Sequence, residues 1–347
     1  MSLPRRRLIA AACATAALAA CQRASAPPRR MGALNVARLA EGFPALAAEA
    51  RPAAFNLGVM SLADGRSWSA DDSGHYPLAG LAGVLIAAAM LGEVDAGRAK
   101  LNERVTIGAA DLSVPPSLIN GRFPSPPAGR SLTLPLADLV ALAVQKTDST
   151  AADTLLRRLG GPAAVTAWLD GKGVQGLRLE RTERERVCEL FGMGPFQPEW
   201  KDAARFDAAR HAVPPAVRQS AAQRWLGESR DAATAAGVMG FLQRLSAGAL
   251  LGVASAEFLQ RLMTVEAGQG GDVLSGLPAG AGLGRSGAAT PTDLGYTAAA
   301  AEAGIVSFPD GARLTYVAFI AGSTATAQAR VRLLGDVGRL MASAMRA

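Results

Sequence analysis

The sequence predicts an α+β fold, with strand-bearing segments near both ends of the chain and a long helical block between them. Three observations carry this. Phe55 to Leu62 reads as a strand, and Ala63-Asp64-Gly65-Arg66 turns it into a second strand through Trp68, the Asp-Gly pair being a strong hairpin signal. Pro77 to Leu91 is apolar all round, the pattern of a helix buried at the centre of a domain. Gly304 to Phe308 and Arg313 to Ala321 flank the turn Pro309-Asp310-Gly311, and an amphipathic helix from Thr326 to Met345 follows.

The remaining elements fill in between. Asn35 to Ala50 has helical spacing, with Val36, Leu39, Phe43 and Leu46 on one face, and Pro44 is expected to kink or end it. A helical region runs to about residue 172, clearest at Leu132 to Val144 and Thr150 to Leu159. Gly160-Gly161-Pro162 stops one helix and starts the next. Thr234 to Leu245 is a further helix.

Residues 1–20 are set apart as an export signal. Arg5, Arg6 and Arg7 precede the apolar run Leu8 to Ala20, and Leu18-Ala19-Ala20-Cys21 has the layout of a bacterial lipobox, which makes Cys21 the expected lipidated residue. Arg5-Arg6-Arg7-Leu8-Ile9 is also similar to a twin-arginine signal, and the run is shorter than the ~18–20 residues a spanning helix needs. Residues 21–34, rich in Pro, Ala and Arg, read as a tether, leaving 35–347 as the folded domain. Gln22 after the cysteine suggests, by resemblance to Gram-negative lipoproteins, the periplasmic face of the outer membrane, with the free periplasm as the alternative.

Charge supports no nucleic-acid partner. The whole chain carries +7, but six arginines and no acid fall in residues 1–30, which leaves +1 for the rest. No basic face remains to neutralise phosphates. Of the three cysteines, Cys13, Cys21 and Cys188, only Cys188 stays in the domain, so an intramolecular disulfide is not expected. With His75 and His211 alone and no Cys/His spacing, neither a metal nor another cofactor is expected.

Four stretches carry chemistry: Tyr76-Pro77-Leu78-Ala79-Gly80-Leu81-Ala82-Gly83, Lys146-Thr147-Asp148-Ser149-Thr150-Ala151-Ala152-Asp153, Arg181-Thr182-Glu183-Arg184-Glu185-Arg186-Val187 and Gly284-Arg285-Ser286-Gly287-Ala288. Through them the chain resembles the class A serine β-lactamases and related penicillin-interacting enzymes, over roughly residues 35–187 and 229–347. The resemblance implies an antiparallel sheet backed by both terminal helices, beside an all-α lobe at about 77–187. It also implies a Ser-x-x-Lys nucleophile and activating amine at the start of the buried helix. Here those positions read Gly80 and Gly83, and no Ser-x-x-Lys occurs anywhere in the chain.

The other motifs are partly kept. Thr147 retains a hydroxyl and Asp148 its carboxylate, whereas Ser149 replaces the amide that the resemblance assigns to a substrate carbonyl. Thr150-x-x-Asp153 also reads as a capping box. Glu183 matches the family's deacylating carboxylate, but Val187 replaces its water-orienting Asn; the alternative is a solvated charged face. Arg285, Ser286 and Gly287 stand where the family has Lys-Thr-Gly, so Arg285, Ser286, Ala288 and Thr147 are the expected ligand contacts, with Arg285 meeting a carboxylate. Reversing Gly80→Ser and Gly83→Lys together is expected to return slow acylation.

Cys188 to Glu228 has no family counterpart and carries Phe191, Phe196, Trp200, Phe206 and Trp225. It is expected to be loop-like and to form either a lid or partner surface, or to pack down on the domain. The functional expectation is a pseudoenzyme: a lipid-anchored protein without acyl-enzyme chemistry that binds a cell-wall fragment, a β-lactam or a protein partner. The alternatives are a hydrolase using Glu183-activated water or Ser286 or Thr147 as nucleophile, and an assembly lipoprotein working through 188–228.

Overall fold

The computed structural model describes residues 33–124, 129–265 and 273–345. The signal, Cys21 and the tether up to residue 32 lie outside the described residues.

The first helix, α1 (Val36–Ala50), runs through Pro44 rather than ending there. Pro44 is exposed, so the carbonyl it leaves unpaired one turn back faces water. Then come β1 (Ala54–Ser61), β2 (Ser67–Ser69) and the short β3 (Tyr76–Pro77). A 3-10 turn, Ala79–Leu81, leads into α2 (Ala82–Asp95), whose middle is buried on every side. Next, β4 (Arg104–Gly108) pairs with β5 (Ser131–Pro135), and α3 (Leu136–Gln145) starts at the end of that strand. The helix expected from Leu132 thus begins as a strand, since Leu132 and Leu134 stand two apart and pair with Ile107 and Val105.

Three helices follow: α4 (Ser149–Leu159), α5 (Pro162–Gly171) and α6 (Glu183–Leu190). Gly160 and Gly161 adopt φ of 95° and 112° between α4 and α5, a conformation glycine takes without strain. The segment expected to be loop-like holds α7 (Ala203–Ala212) and α8 (Pro215–Leu226). The chain returns through β6 (Ala232–Ala233), α9 (Ala235–Ser246) and α10 (Val253–Met263) to β7 (Gly282–Ala289), β8 (Thr297–Ser307), β9 (Arg313–Ser323) and α11 (Ala327–Ala344).

The main sheet has the order β2-β1-β9-β8-β7 with antiparallel neighbours throughout. One face carries α1 and α11, sealed by Leu39, Leu57, Leu314, Tyr316, Val337 and Met341. The other faces the helical lobe, with Val317 and Phe319 meeting the cluster built on α2, α3, α4 and α9. Strand β7 is therefore an edge, and it runs beside the turn Ala79–Leu81. Strand β8 starts earlier than the expected Gly304 because a run of alanines, weak strand formers, is carried by pairing on both sides.

The segment from Cys188 to Glu228 packs down. Phe191, Phe206 and Trp225 are buried, and Phe196 and Trp200 lie against the lobe core, so these aromatics form no exposed surface. Two salt bridges fix the segment to the loop after β7: Arg218 Nε meets Asp293 Oδ2 at 2.7 Å, and Arg210 pairs with the same carboxylate. On the opposite side Lys201 Nζ donates to the Phe123 carbonyl, and Asn120 Nδ2 donates to the Lys201 carbonyl.

Candidate active site

A cleft of about 250 Å³ opens where β7, the start of α2, the α3–α4 turn and α6 converge. Gly80, Gly83, Thr147, Ser149, Glu183 and Ala288 all line it, so the structure brings together residues drawn from all four motifs. Arg285 and Ser286 do not line it. Helices α7 and α8 contribute nothing to its wall and leave it open.

The entrance to α2 is held by local pairing. Tyr76 and Pro77 pair with Ala233 and Ala232, and the Leu78 amide donates to the Asp231 carbonyl at 2.8 Å. Ala79 then takes φ 44°, a left-handed conformation costly for a residue with a Cβ. Gly80 follows. A Cβ added there would stand 2.2 Å from the Ala288 amide nitrogen and 2.7 Å from the Gly287 carbonyl carbon. A Cβ on Gly83 would stand 2.5 Å from the Ala143 carbonyl oxygen, on the last turn of α3. Both obstacles are backbone atoms that no rotamer change moves aside. The two glycines are thus close-packing residues: β7 and α3 occupy the volume that a nucleophile and its amine would need. Ser and Lys restored here would press their Cβ atoms against backbone, which stands against the expectation that this pair returns slow acylation.

The hydroxyls and carboxylates around the cleft have structural partners. Asp148 caps α4 by accepting from the Ala151 amide at 2.9 Å, and it also accepts from Ser117 Oγ and the Leu118 and Ile119 amides. The cap falls two residues before the expected Thr150-x-x-Asp153 box because the helix begins at Ser149. Thr150 instead accepts from the Ser113 amide and donates to Asn120 Oδ1. Ser149 Oγ donates to the carbonyls of Val114 and Pro116, and Thr147, at φ 47°, donates to the Lys146 carbonyl at 2.8 Å. The Ser149 and Thr147 hydroxyls thus give their protons to backbone carbonyls and not to a side-chain base.

Glu183 opens α6, whose first turn is closed by a Thr182/Glu185 capping box. Its carboxylate pairs with Arg186 one turn on, and both side chains are largely buried, so this charged run is not simply a solvated face. Behind it, Asp153 accepts from the Glu183 amide at 2.6 Å, the Arg184 amide and Ser113 Oγ. Burial, reinforced by the neighbouring Glu183 charge, pushes the Asp153 carboxyl up to about 7. Val187 lines the cleft beside Glu183 and offers a water no hydrogen bond.

The β7 residues divide between two sides. Ser286 is buried beneath α2 among Leu78, Leu81 and Val238. Arg285 points to the face covered by α11, where its guanidinium stands 3.3 Å from Glu302 Oε2, and Tyr316 donates to the same carboxylate. Sequence reasoning missed Arg186, the cation that does line the cleft; its signal was its place three residues after Glu183, one turn on along a helix. Among the described residues no group of three or more His, Cys, Asp and Glu side chains could hold a metal ion.

An antiparallel sheet between terminal helices and a helical lobe, with a cleft at the head of the buried helix, defines the class A β-lactamase fold. The chain belongs to that wider family: the model described as the Beta-lactamase enzyme family matches residues 38–345. Among solved structures, a β-lactamase from Chitinophaga pinensis has a TM-score of 0.69 at 23% identity, covering 89% of this chain and 99% of that one. An ancestral class A β-lactamase has a TM-score of 0.66 at 26% identity, over 89% and 99%. Among curated proteins, β-lactamase Toho-2 of Escherichia coli is 34% identical over 113 residues, 31% of this chain and 35% of that protein. β-Lactamase CTX-M-4 of Salmonella typhimurium is 38% identical over 104 residues, 29% and 32%. The match to these curated relatives thus spans only about a third of their length.

Proposed function

We propose that this chain is a lipid-anchored cell-envelope protein that keeps the β-lactamase fold without acyl-enzyme chemistry and uses its cleft to bind rather than cleave. One observation carries the reading. Backbone atoms of Ala288 and Ala143 fill the space beside Gly80 and Gly83, so a nucleophile and its activating amine are sterically excluded as well as absent. The ligand class is a carboxylated cell-wall fragment or a β-lactam. Its cation in the cleft is Arg186, which lines the wall beside its partner Glu183, whereas Arg285 is turned to the α11 face. Equilibrium dialysis against penicillin followed by chemical analysis tests this: the reading requires reversible binding with penicillin recovered intact.

Anchoring rests on Leu18-Ala19-Ala20-Cys21. Metabolic labelling with a fatty-acid analogue should mark the wild type in the outer-membrane fraction and leave Cys21→Ala unmarked. Label on the variant, or an unlabelled wild type in the periplasm, overturns it.

A second reading is favoured by the family membership and by Glu183 on the cleft wall. In it, Glu183 activates water directly against an amide. It predicts turnover of a chromogenic cephalosporin that vanishes in Glu183→Gln. The Arg186 pair opposes it, since the guanidinium occupies the carboxylate that would have to meet the water.

A further inference from the structure

A second cavity of about 250 Å³ lies between α8 and the loop joining β7 to β8. It is separate from the cleft, with Pro291 alone contributing to both walls. We propose that this cavity is a binding site for a small neutral ligand, an apolar or aromatic body bearing an amide.

Its walls supply the chemistry. Leu190, Phe191, Ala222 and Ala298 make the apolar surface. In the wall, Asp293 holds Arg218 at 2.7 Å and also pairs with Arg210, whose second partner is Asp207 at 3.0 Å, so two guanidiniums and two carboxylates balance and an ionised ligand meets no free counter-charge. Four polar side chains line the cavity: the partly buried Tyr296 phenol and, exposed at the rim, the Gln219 and Gln223 carboxamides, one turn apart on α8, and the Thr324 hydroxyl. Gln219, Gln223 and Thr324 face water there, and the Tyr296 phenol is the polar group set into the wall. An apolar cavity with a few convergent donors and acceptors is the usual form of a small-molecule site, and the volume lies just below the ~300–1,000 Å³ of drug-sized pockets. Burial raises the Tyr296 phenol, which keeps it a neutral donor.

A strained backbone at the mouth points the same way. Asp293 and Tyr296 exchange backbone hydrogen bonds around Leu294 and Gly295, whose φ values of 51° and 72° are those of a type I′ turn. Asn or Gly suits the first position. Leucine does not, yet Leu294 stands there 54% exposed on the cavity rim. Strain kept on an exposed apolar side chain at a cavity mouth fits contact with a ligand.

The probe is acetanilide, an aryl amide of fragment size, with benzoate as its ionised counterpart. Saturation-transfer NMR on the full chain should give a dissociation constant of about 1–10 mM for acetanilide and no saturable signal for benzoate. Tyr296→Phe, which removes one oxygen, should weaken acetanilide about fivefold. Ala222→Trp should abolish its binding, with circular dichroism reporting that each variant is folded. Absence of acetanilide binding to the wild type, equal binding of benzoate, or binding untouched in folded Tyr296→Phe and Ala222→Trp would each overturn the proposal. Loss of cleft binding leaves it standing, because Ala222 and Tyr296 lie outside the cleft.

Discussion

Arg181 Nε lies 2.5 Å from Asp231 Oδ2, joining two buried residues 50 positions apart. The same guanidinium reaches Glu189 at 2.6 Å and Glu228 at 3.0 Å, which flank α7 and α8. Asp231 also accepts from the Glu180 and Arg181 amides, while its own carbonyl holds Leu78 two residues before Gly80. Helices α7 and α8 are thus clasped at their base, and the clasp is wired to the head of the buried helix.

Breaking that clasp should be costly. Arg181→Ala leaves Asp231 buried without its cation, and such losses destabilise by ~3–5 kcal/mol. Arg230→Ala removes partly exposed pairs with Glu189 and Glu228 and should cost less than about 1 kcal/mol. Urea denaturation of the two variants checks the contrast; equal losses contradict it.

Gly80→Ala adds one methyl against the Ala288 backbone and should destabilise by about 1–3 kcal/mol, the usual cost of overpacking. Gly240 lies inside α9 with open space around its added Cβ, so Gly240→Ala should stabilise by ~1 kcal/mol through helix propensity. Thermal melts of the two variants should move in opposite directions. A Gly80→Ala protein as stable as wild type would mean that room for a side chain exists.

How much of this the sequence could reveal depends on distance along the chain. Gly80 and Gly83 are visible as missing reactive groups because the motif around them is local. Their steric role is not, since Ala288 arrives from a strand some 200 residues away and only tertiary pairing sets that approach. Arg285 illustrates the same limit. Neighbouring residues on a strand face opposite sides, so the tripeptide alone does not say which side chain meets the cleft. Helices α7 and α8 were hidden by the Pro and Gly residues that precede them and by weak amphipathic patterning.

Asp153 should give the protein a pH signature. Its folded-state carboxyl is raised to about 7 from an ordinary value of 3.8, so the native state holds one more proton than the unfolded chain between those pH values. Stability is then greatest below about pH 4 for this group and falls as pH rises to 7, by about 1.4 kcal/mol per unit at most. Chemical denaturation from pH 4 to 8 should show this fall in the wild type and a flatter profile in Asp153→Asn. Identical profiles contradict the assignment.

The cation that serves the cleft can be located directly. Calorimetric titration with a carboxylated muropeptide should show weak binding that falls about tenfold or more in Arg186→Gln, in line with ~1.5–3 kcal/mol for a charged hydrogen bond. Arg285→Ala should leave it unchanged, because that guanidinium faces α11. The reverse pattern would return Arg285 to the ligand.

The central claim is that no residue of this cleft forms an acyl-enzyme, and covalent labelling tests it most directly. The protein is incubated with a fluorescent penicillin, denatured and resolved by electrophoresis, with the Gly80→Ser/Gly83→Lys double variant beside it. The account predicts an unlabelled band in both lanes, since the Ala288 and Ala143 backbones exclude the restored side chains. A labelled wild-type band that disappears on replacing one Ser or Thr would contradict it.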